Sequence, residues 1–543
     1  MQSKSQLFIM TEYTTFNKEN FNQKTIFLIL LTIGSVGLII RLYFNPENPL
    51  TGDATNYFVY AVDTGIKGKL SDVYFLANSG WSIFLSGIFS IIQFDNPIFL
   101  MEIQRYCSIM ISVVTIIPVY YLCRRFFSQS YSLIGASLFI FEPHIIINST
   151  LGITEPIFLF FGILTLTLFL SNNQKITYIS FAIAGIFTLI RFEGLLFFFI
   201  LSAMFFVKYR NEKTQILKYP LVLIIFILIL FPVAFINFEE HGRDGIMSEL
   251  VDTGGYSYQT FVEEIPDPGD LVYGEKNNAN MQNFLSLGIK NSIWMLGLAS
   301  FPILILSGLF GLVMIIKNRN SLRIDFKILT VILTSAIMLL PAFYAYGRGL
   351  EDVRFLFTFY PLLILISLYG ISKLKIRRKD LMLFFIIGMI FVASFAFIDF
   401  KKIDKQYEKE VFLITKLIDE KTDIINADSA DLGYKRASTI IVNWPDLPEP
   451  TSDSHIGYSL YLESTKKFTS IKSFIESNKE KNLEYIAVDG RTEQPKFLYD
   501  IFVNEKNYPF LEKIFDSNDQ GMKYQVKVYK INYKLIDSTD SGY

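Results

Sequence analysis

The chain has 543 residues, of which 51% are hydrophobic, 16% aromatic and only 19% charged, a composition too apolar for an ordinary soluble globular protein and typical of a membrane protein. The 50 Lys and Arg residues nearly balance the 51 Asp and Glu residues, so the net charge does not indicate a nucleic-acid partner. Cys107 and Cys123 lie in or beside one apolar segment, where we expect buried hydrophobic side chains rather than a disulfide or metal ligands.

The first apolar segment starts near residue 25 and is long enough to cross a bilayer, so we expect a membrane anchor and not a cleaved signal peptide. Similar segments follow and predict about eleven spans in all. They are 25–44, 105–123, 131–147, 151–170, 176–192, 194–207, 217–236, 291–316, 326–346, 353–372 and 380–399. The segment SGWSIFLSGIFSIIQF at 79–94 is shorter and could instead form a re-entrant or interfacial helix. The prediction is an all-α polytopic bundle of about 11 to 13 transmembrane helices.

The positive charges of the short loops predict the orientation of the bundle. They gather on one side if the N-terminal tail, residues 1–24, is cytoplasmic and the membrane domain covers 25–400. The positive loops are Arg124 with Arg125, 208–213, 317–323 and 373–379. The first loop, the long loop 237–290 and the C-terminal tail then lie outside, in a multi-pass protein of the plasma membrane.

The composition changes near residue 400, where a long charged tail begins. Helix-like stretches such as KKIDKQYEKEVFLITKLIDEK alternate with short β-like runs. These runs are TIIVNW, LEYIAVDG and YQVKVYKINY. We therefore expect residues 401–543 to form a soluble α/β domain on the outer side.

Several ionisable side chains stand at the outer ends of the predicted spans, where a charge is costly and therefore a functional candidate. They are Asp53, Glu142, His144, Glu155, Arg191, Glu193, Arg348 and Arg354. Structural alternatives stay open, since Asp53 could cap the next helix, Glu155 could be a first-turn acid, and arginines could pair with neighbouring acids. A transporter would more plausibly carry its charges near the bilayer midplane. The interfacial placement favours a site shared by a lipid-anchored substrate and an aqueous one.

Four segments in this order and on one side carry a family resemblance. They are TGDATNYFVYA, TEPIFLFF, IRFEGLLFF and DVRFLFTFYPLLILI. Together they resemble the GT-C superfamily of integral membrane glycosyltransferases, and in particular archaeal members of the dolichyl-phosphate-mannose protein mannosyltransferase and aminoarabinose transferase group. The resemblance covers roughly residues 25–400 and implies a bundle of the GT-C type.

In that family, a polyprenyl-phosphate-linked sugar enters from the lipid and an acceptor approaches from the outer aqueous side. The resemblance implies an inverting glycosyltransferase, mannosyltransferase-like, with Asp53 as general base on the acceptor hydroxyl. It assigns the donor phosphate to Arg354, Arg191 and Arg348, and the positioning of the acceptor or of a cation to Glu155 and Glu193. The acceptor is a protein, a lipid or a glycan.

The chain also departs from the family. Protein mannosyltransferases usually show an Asp-Glu pair where this chain has Asp53 followed by Ala54, which puts recognition of a protein acceptor in doubt. A divalent metal ion, Mg²⁺ or Mn²⁺, held by Asp53, Glu142 and His144 stays open, because Glu142 and His144 have the spacing of a metal-binding pair. The alternative functions are a transporter or flippase for lipid-linked glycans and a membrane-anchored binding protein.

Overall fold

A computed structural model describes residues 21–46, 50, 53–71, 75–92, 97–252, 281–318, 324–374, 379–401, 410, 469–479, 485–490 and 496–540. The described chain is mostly helical. The helices up to the middle of the chain are α1 (Gln23–Tyr43), α2 (Asp53–Lys67), α3 (Gly80–Ile91), α4 (Pro97–Val114), α5 (Ile116–Cys123), α6 (Gln129–Ile140), α7 (Pro143–Ser149), α8 (Glu155–Phe169), α9 (Gln174–Ile190), α10 (Gly194–Lys208), α11 (Lys213–Ile216) and α12 (Tyr219–His241). They are followed by α13 (Met281–Ser300), α14 (Ile303–Lys317), α15 (Phe326–Ile337), α16 (Leu339–Gly347), a 3₁₀ helix (Val353–Phe359), α17 (Tyr360–Ser372) and α18 (Lys379–Lys401).

The chain divides into two compact units. The first consists of Met1–Asn45, Leu70–Leu85 and Gln104–Lys402, and the second of Pro46–Lys69, Ser86–Ile103 and Ile403–Tyr543. Helix α2, which begins at Asp53, therefore belongs to the same unit as the C-terminal tail. The sequence predicts this segment as part of the first outer loop, within the membrane domain 25–400.

Six described helices are long and apolar enough to cross a membrane, and up to eight if each of two bent pairs is counted as one span. The six are Gln23–Tyr43, Phe99–Cys123, Thr214–His241, Phe326–Gly347, Val353–Ser372 and Met382–Lys401. In each bent pair the helix axis turns sharply, by 52° between α6 and α7 and by 108° between the segment Phe284–Ser300 and α14. A helical membrane bundle is thus confirmed, whereas the predicted number of 11 to 13 spans is not.

Three short helices and a bend in each of two predicted spans, 131–147 and 291–316, explain the lower number. The predicted spans 151–170, 176–192 and 194–207 form helices of 15, 17 and 15 residues, which is shorter than the roughly 20 residues that a perpendicular span needs. A continuous span over 291–316 is wrong, because α13 ends at Ser300 and α14 starts after Pro302, whose ring removes a backbone donor and interrupts a helix. The segment 79–94 forms only the 12-residue helix α3.

Helices α14 and α17 pack with their backbones in close contact. A Cβ atom at Gly311 would overlap the carbonyl oxygen of Ile366, and one at Gly370 would lie 2.8 Å from the Cα of Gly311. Ser307 Oγ donates a hydrogen bond to Ser367 Oγ, 3.1 Å away, across the same contact. Small residues permit this approach, which is typical of helix pairs inside membranes.

We expect Gly311→Ala to lower the stability of the protein by about 1 to 3 kcal/mol, because the new methyl group must push the two helices apart. Gly297→Ala is the matched control, since a Cβ atom at Gly297 meets nothing within 4 Å and alanine is the better helix former. Thermal unfolding of both purified variants in detergent measures the difference. Equal midpoints for the two variants would contradict the close packing.

The described part of the tail combines helices with a three-stranded antiparallel sheet. The elements are α19 (Ile471–Asn478), β1 (Tyr485–Asp489), α20 (Lys496–Val503), β2 (Leu511–Asp516), β3 (Val526–Ile531) and α21 (Tyr533–Asp540). The strand order is β1-β3-β2, with Ile486 opposite Tyr529 and Leu511 opposite Ile531. Leu498 and Ile501 of α20 pack into its buried core.

The strands predicted in LEYIAVDG and YQVKVYKINY are confirmed as β1 and β3. Strand β2, with the sequence LEKIFD, was not predicted, because its charges hide the alternation of buried and exposed residues. The predicted strand TIIVNW and nearly all of the helical stretch KKIDKQYEKEVFLITKLIDEK lie outside the described residues.

Candidate functional site

The first feature of the candidate site is a buried acid at the start of α8. Helix α8 begins at Glu155, with Pro156 in its first turn, where a proline does not interrupt the helix. Only 4% of Glu155 is exposed. Its Oε1 atom accepts a hydrogen bond from Nη1 of Arg191, 3.2 Å away, and lies 3.8 Å from Nη1 of Arg354. One carboxylate oxygen therefore faces two guanidinium groups.

Arg191 follows the last residue of α9 in an extended conformation, which turns its side chain toward the following acid. Its Nη2 donates to Oε1 of Glu193 at 2.7 Å, and its Nε donates to the same oxygen at 3.2 Å. The guanidinium carbon also lies 5.5 Å from the centre of the Phe158 ring. Arg191 is thus held between two carboxylates and a ring, which orients it firmly.

Arg354 lies in the 3₁₀ helix before α17. Asp352 caps this helix, because its Oδ1 accepts from the backbone N–H of Arg354 at 2.9 Å, and its Oδ2 lies 3.0 Å from Nε of the same residue. The Arg354 side chain is 26% exposed, compared with 18% for Arg191. Of the two arginines beside Glu155, Arg354 is the more accessible.

The carboxylate of Glu155 still has capacity for another partner. Its Oε2 atom is buried and accepts no hydrogen bond from the residues that the structure describes. A buried carboxylate oxygen without a donor is unfavourable, so this position is suited to a donor group from a substrate.

The turn before Glu155 is held by side chains that the sequence analysis missed. The carbonyl oxygen of Gly152 accepts hydrogen bonds from Nε1 of Trp81 at 3.1 Å and from Nε2 of Gln104 at 2.7 Å. Gly152 has a φ of 77°, a left-handed conformation that suits glycine. On the neighbouring turn, the N–H of Phe192 donates to Oδ1 of Asn78. Helices α3 and α4 thus hold the turn before Glu155, and the segment before α3 holds the turn that contains Arg191.

Glu142 and His144 form a second cluster at the bend between α6 and α7. Glu142 is almost fully buried, its Oε2 accepts from the N–H of Ile145 at 2.9 Å, and its Oε1 lies 3.0 Å from Nδ1 of His144. Glu142 therefore caps α7. Arg41 of α1 interacts electrostatically with Glu142. This arginine is not among the residues selected from the sequence.

Arg41 is 0% exposed, and each of its guanidinium nitrogens donates at least one hydrogen bond. Its Nη1 donates to the carbonyl oxygens of Gly37 at 2.9 Å and Ile140 at 3.0 Å, and its Nη2 donates to Ser112 Oγ at 3.0 Å. Ile140 is the last residue of α6, so Arg41 satisfies a carbonyl group that the bend leaves without a helical donor. Arg41 thus satisfies the end of α6 and Glu142 the start of α7, so a charged side chain stabilises each side of the bend.

These contacts bear on the predicted metal site. The described residues contain no group of three or more His, Cys, Asp or Glu side chains that could hold a metal ion. Glu142 is committed to a helix cap, to His144 and to Arg41. The donors predicted at Asp53, Glu142 and His144 do not form such a group among the described residues.

The remaining predicted residues have simpler surroundings. Asp53 is exposed and is the first residue of α2 in the second unit, so its carboxylate lies at a helix N-terminus. Arg348 follows α16, and its guanidinium carbon lies 5.4 Å from the centre of the Tyr344 ring. The structure therefore brings together Glu155, Arg191, Glu193 and Arg354, and separately Glu142 and His144.

No protein-family model matches the sequence, and no curated protein is significantly similar to it. Among solved structures, the chain is similar to the archaeal oligosaccharyltransferase AglB from Archaeoglobus fulgidus in complex with an inhibitory peptide and a dolichol-phosphate. The TM-score is 0.54 at 14% identity, and the match covers 92% of this chain and 74% of AglB. The same enzyme tethered to an acceptor peptide gives a TM-score of 0.55 at 13% identity, with coverage of 90% and 72%.

A second similar structure is ArnT from Cupriavidus metallidurans bound to undecaprenyl phosphate. Its TM-score is 0.52 at 10% identity, and the match covers 92% of this chain and 97% of ArnT. Similarity at such low identity establishes a common fold. The chain is therefore a multi-pass membrane protein with the fold of the GT-C glycosyltransferases.

Proposed function

We propose that this protein transfers a sugar, mannose or another hexose, from a polyprenyl-phosphate donor to an acceptor hydroxyl at the outer face of the plasma membrane. The observation that carries the proposal is the buried cluster in which Arg191 and Arg354 share the carboxylate of Glu155. It lies in a fold whose solved examples include one enzyme in complex with a dolichol-phosphate and another bound to undecaprenyl phosphate.

The cluster has the chemistry that a lipid-phosphate donor requires. Guanidinium groups bind phosphate through paired N–H donors and keep their charge in a poorly hydrated site. Arg354 is the better candidate for the phosphate, because its side chain is 26% exposed, compared with 18% for Arg191. Arg191 is held more tightly, by Glu193 at 2.7 Å, and adds positive charge beside it. Arg348, six residues before Arg354, would be a further phosphate ligand in this proposal.

The reaction would proceed with inversion. The carboxylate of Asp53 takes the proton of the acceptor hydroxyl, while the hydroxyl oxygen forms a bond to the anomeric carbon of the sugar. The bond between this carbon and the phosphate oxygen breaks, and the phosphate keeps the electron pair. The arginines stabilise the negative charge on the leaving phosphate, so no general acid is needed. Glu155, through its unpartnered Oε2, and Glu193 would position the acceptor.

The proposal predicts the effect of Arg354→Ala on donor binding. Removing a charged hydrogen-bond donor from the phosphate should raise KM for the polyprenyl-phosphate sugar by roughly 10- to 100-fold, with a smaller change in kcat. Radiolabelled donors with different sugars, assayed on purified protein, would measure both constants and identify the sugar. Label that crosses the bilayer without being transferred would favour the transporter or flippase instead.

Arg243→Ala is the matched control for this experiment. Arg243 is an arginine outside the cluster that pairs with Glu249 at 2.7 Å, and the sequence analysis predicts it on the same outer side. Its loss removes an equal charge and should leave KM within twofold. A fall of kcat in Arg354→Ala with unchanged KM would contradict a role in binding the donor phosphate.

A further inference from the structure

A group of three basic side chains lies at the end of α8 that is opposite to Glu155. Arg125 comes from the turn after α5, Lys208 is the last residue of α10, and Lys327 is in the first turn of α15. Nζ of Lys208 lies 5.9 Å from the centre of the ring of Phe326, the residue before Lys327, and Lys208 interacts electrostatically with both Arg125 and Lys327. Three separate elements thus bring like charges together, which is unfavourable unless an anion compensates for them.

Capping of α8 explains part of this arrangement. Nη2 of Arg125 donates to the carbonyl oxygen of Thr167 at 3.1 Å, and Nζ of Lys208 donates to the carbonyl oxygens of Phe169 at 2.6 Å and Ser171 at 2.7 Å. These are the last carbonyl groups of α8 and of the turn behind it, where cations stabilise a helix. The negative end of a helix is equivalent to only about half an elementary charge, so the charges of Arg125 and Lys327 alone exceed it.

Two of the three side chains keep capacity for a ligand. Nε of Arg125 is buried and donates to no acceptor within the described part of the chain. The side chain of Lys327 makes no hydrogen bond or ion pair with any described residue. Both charged groups acting on Lys208 are cationic, so the described chain supplies no acid to this side chain.

We propose that Arg125, Lys208 and Lys327 form a binding site for an anionic phosphate group, as in the head group of an acidic phospholipid. The loop that contains Arg125 is predicted to be cytoplasmic, and basic pockets between membrane helices on that side are suited to such head groups. In this site Lys327 and Nε of Arg125 donate to the phosphate, while Lys208 contributes charge, because its three donors are already used by Phe169, Ser171 and Thr177.

The site is distinct from the proposed sugar-transfer site. Helix α8 has 15 residues, which corresponds to a separation of about 21 Å between its two ends. An anion bound near the C-terminal end would reduce the repulsion among the basic side chains that cap this helix, which carries Glu155 at its N-terminal end. The inference stands without the proposed function, because it concerns ligand binding and stability.

The test uses the purified full chain reconstituted in phosphatidylcholine alone or in phosphatidylcholine mixed with phosphatidylglycerol. The anionic lipid should raise the midpoint of thermal unfolding by about 2 °C or more in the unaltered protein. In Lys327→Gln at least half of this shift should disappear, and in the double variant Arg125→Gln/Lys327→Gln nearly all of it. Lys327→Gln removes no side-chain hydrogen bond or ion pair among the described residues, so its fold should be intact.

Lys317→Gln is the matched control, since Lys317 is exposed at the end of α14 and is predicted on the same side. It loses the same charge and should keep the full shift. Equal responses of Lys327→Gln and Lys317→Gln, or no response of the unaltered protein to either anion, would overturn the proposal. Inorganic phosphate added to the phosphatidylcholine sample separates the two sources of the ligand: a shift that Lys327→Gln reduces assigns the site to free phosphate, and its absence assigns it to the lipid.

Discussion

Replacing Asp53 by Asn should reduce sugar transfer by a factor of about 10² to 10⁴, the contribution that a positioned general base makes to a reaction rate. An amide cannot take the proton of the acceptor hydroxyl, whereas its size and hydrogen-bonding geometry are close to those of the carboxyl group. Asp53 is exposed at the start of α2, where a hydroxyl from the aqueous side can reach it. A donor-saturated transfer assay on the purified variant measures the loss.

The same substitution separates catalysis from helix capping. Asn is as favourable as Asp at helix N-termini, so the thermal stability of Asp53→Asn should stay close to that of the unaltered protein. Binding of the polyprenyl-phosphate donor should also persist, because the base acts on the acceptor. Undiminished transfer would show that Asp53 serves the helix alone, and a loss of donor binding would place it beside the phosphate instead.

Hydropathy predicted where most helices lie, but not how they bend. An average over about 20 residues detects apolar segments such as Gln23–Tyr43 and Met382–Lys401 because burial in lipid depends on composition. It does not detect local interruptions. Pro302 lies inside the predicted span 291–316 and separates two helices at an angle of 108°. The apolar residues on both sides of the proline conceal the break from the average.

The residues of the candidate site likewise divide into those that the sequence predicts and those that it does not. Glu155, Arg191, Glu193 and Arg354 could be selected from the sequence because each is an ionisable residue at the end of an apolar segment. Their supporting residues could not. Trp81 and Gln104 both donate hydrogen bonds to the carbonyl oxygen of Gly152. A hydrogen bond to a distant backbone atom leaves no spacing pattern in the sequence.

Arg41 is the residue with the largest expected effect on stability. It stands in the last turn of the first predicted span, where hydropathy treats an arginine as a residue at the membrane surface. In the structure it is instead fully buried and acts on Glu142, which is only 1% exposed. Arg41→Met should therefore destabilise the protein by about 3 to 5 kcal/mol, because Glu142 is left as a buried charge and the carbonyl group of Ile140 loses a donor.

A double-mutant cycle distinguishes this interaction from a simple loss of packing. Methionine is similar in length to the aliphatic part of arginine, so Arg41→Met preserves most of the packing. If Glu142 is the partner, then Arg41→Met/Glu142→Gln should be more stable than the sum of the two single changes predicts, since neither charge remains buried alone. Arg243→Met, in which a partly exposed arginine paired with Glu249 is lost, should cost only about 0 to 1 kcal/mol. Strictly additive effects of Arg41→Met and Glu142→Gln would mean that the bend between α6 and α7 does not depend on this charge pair.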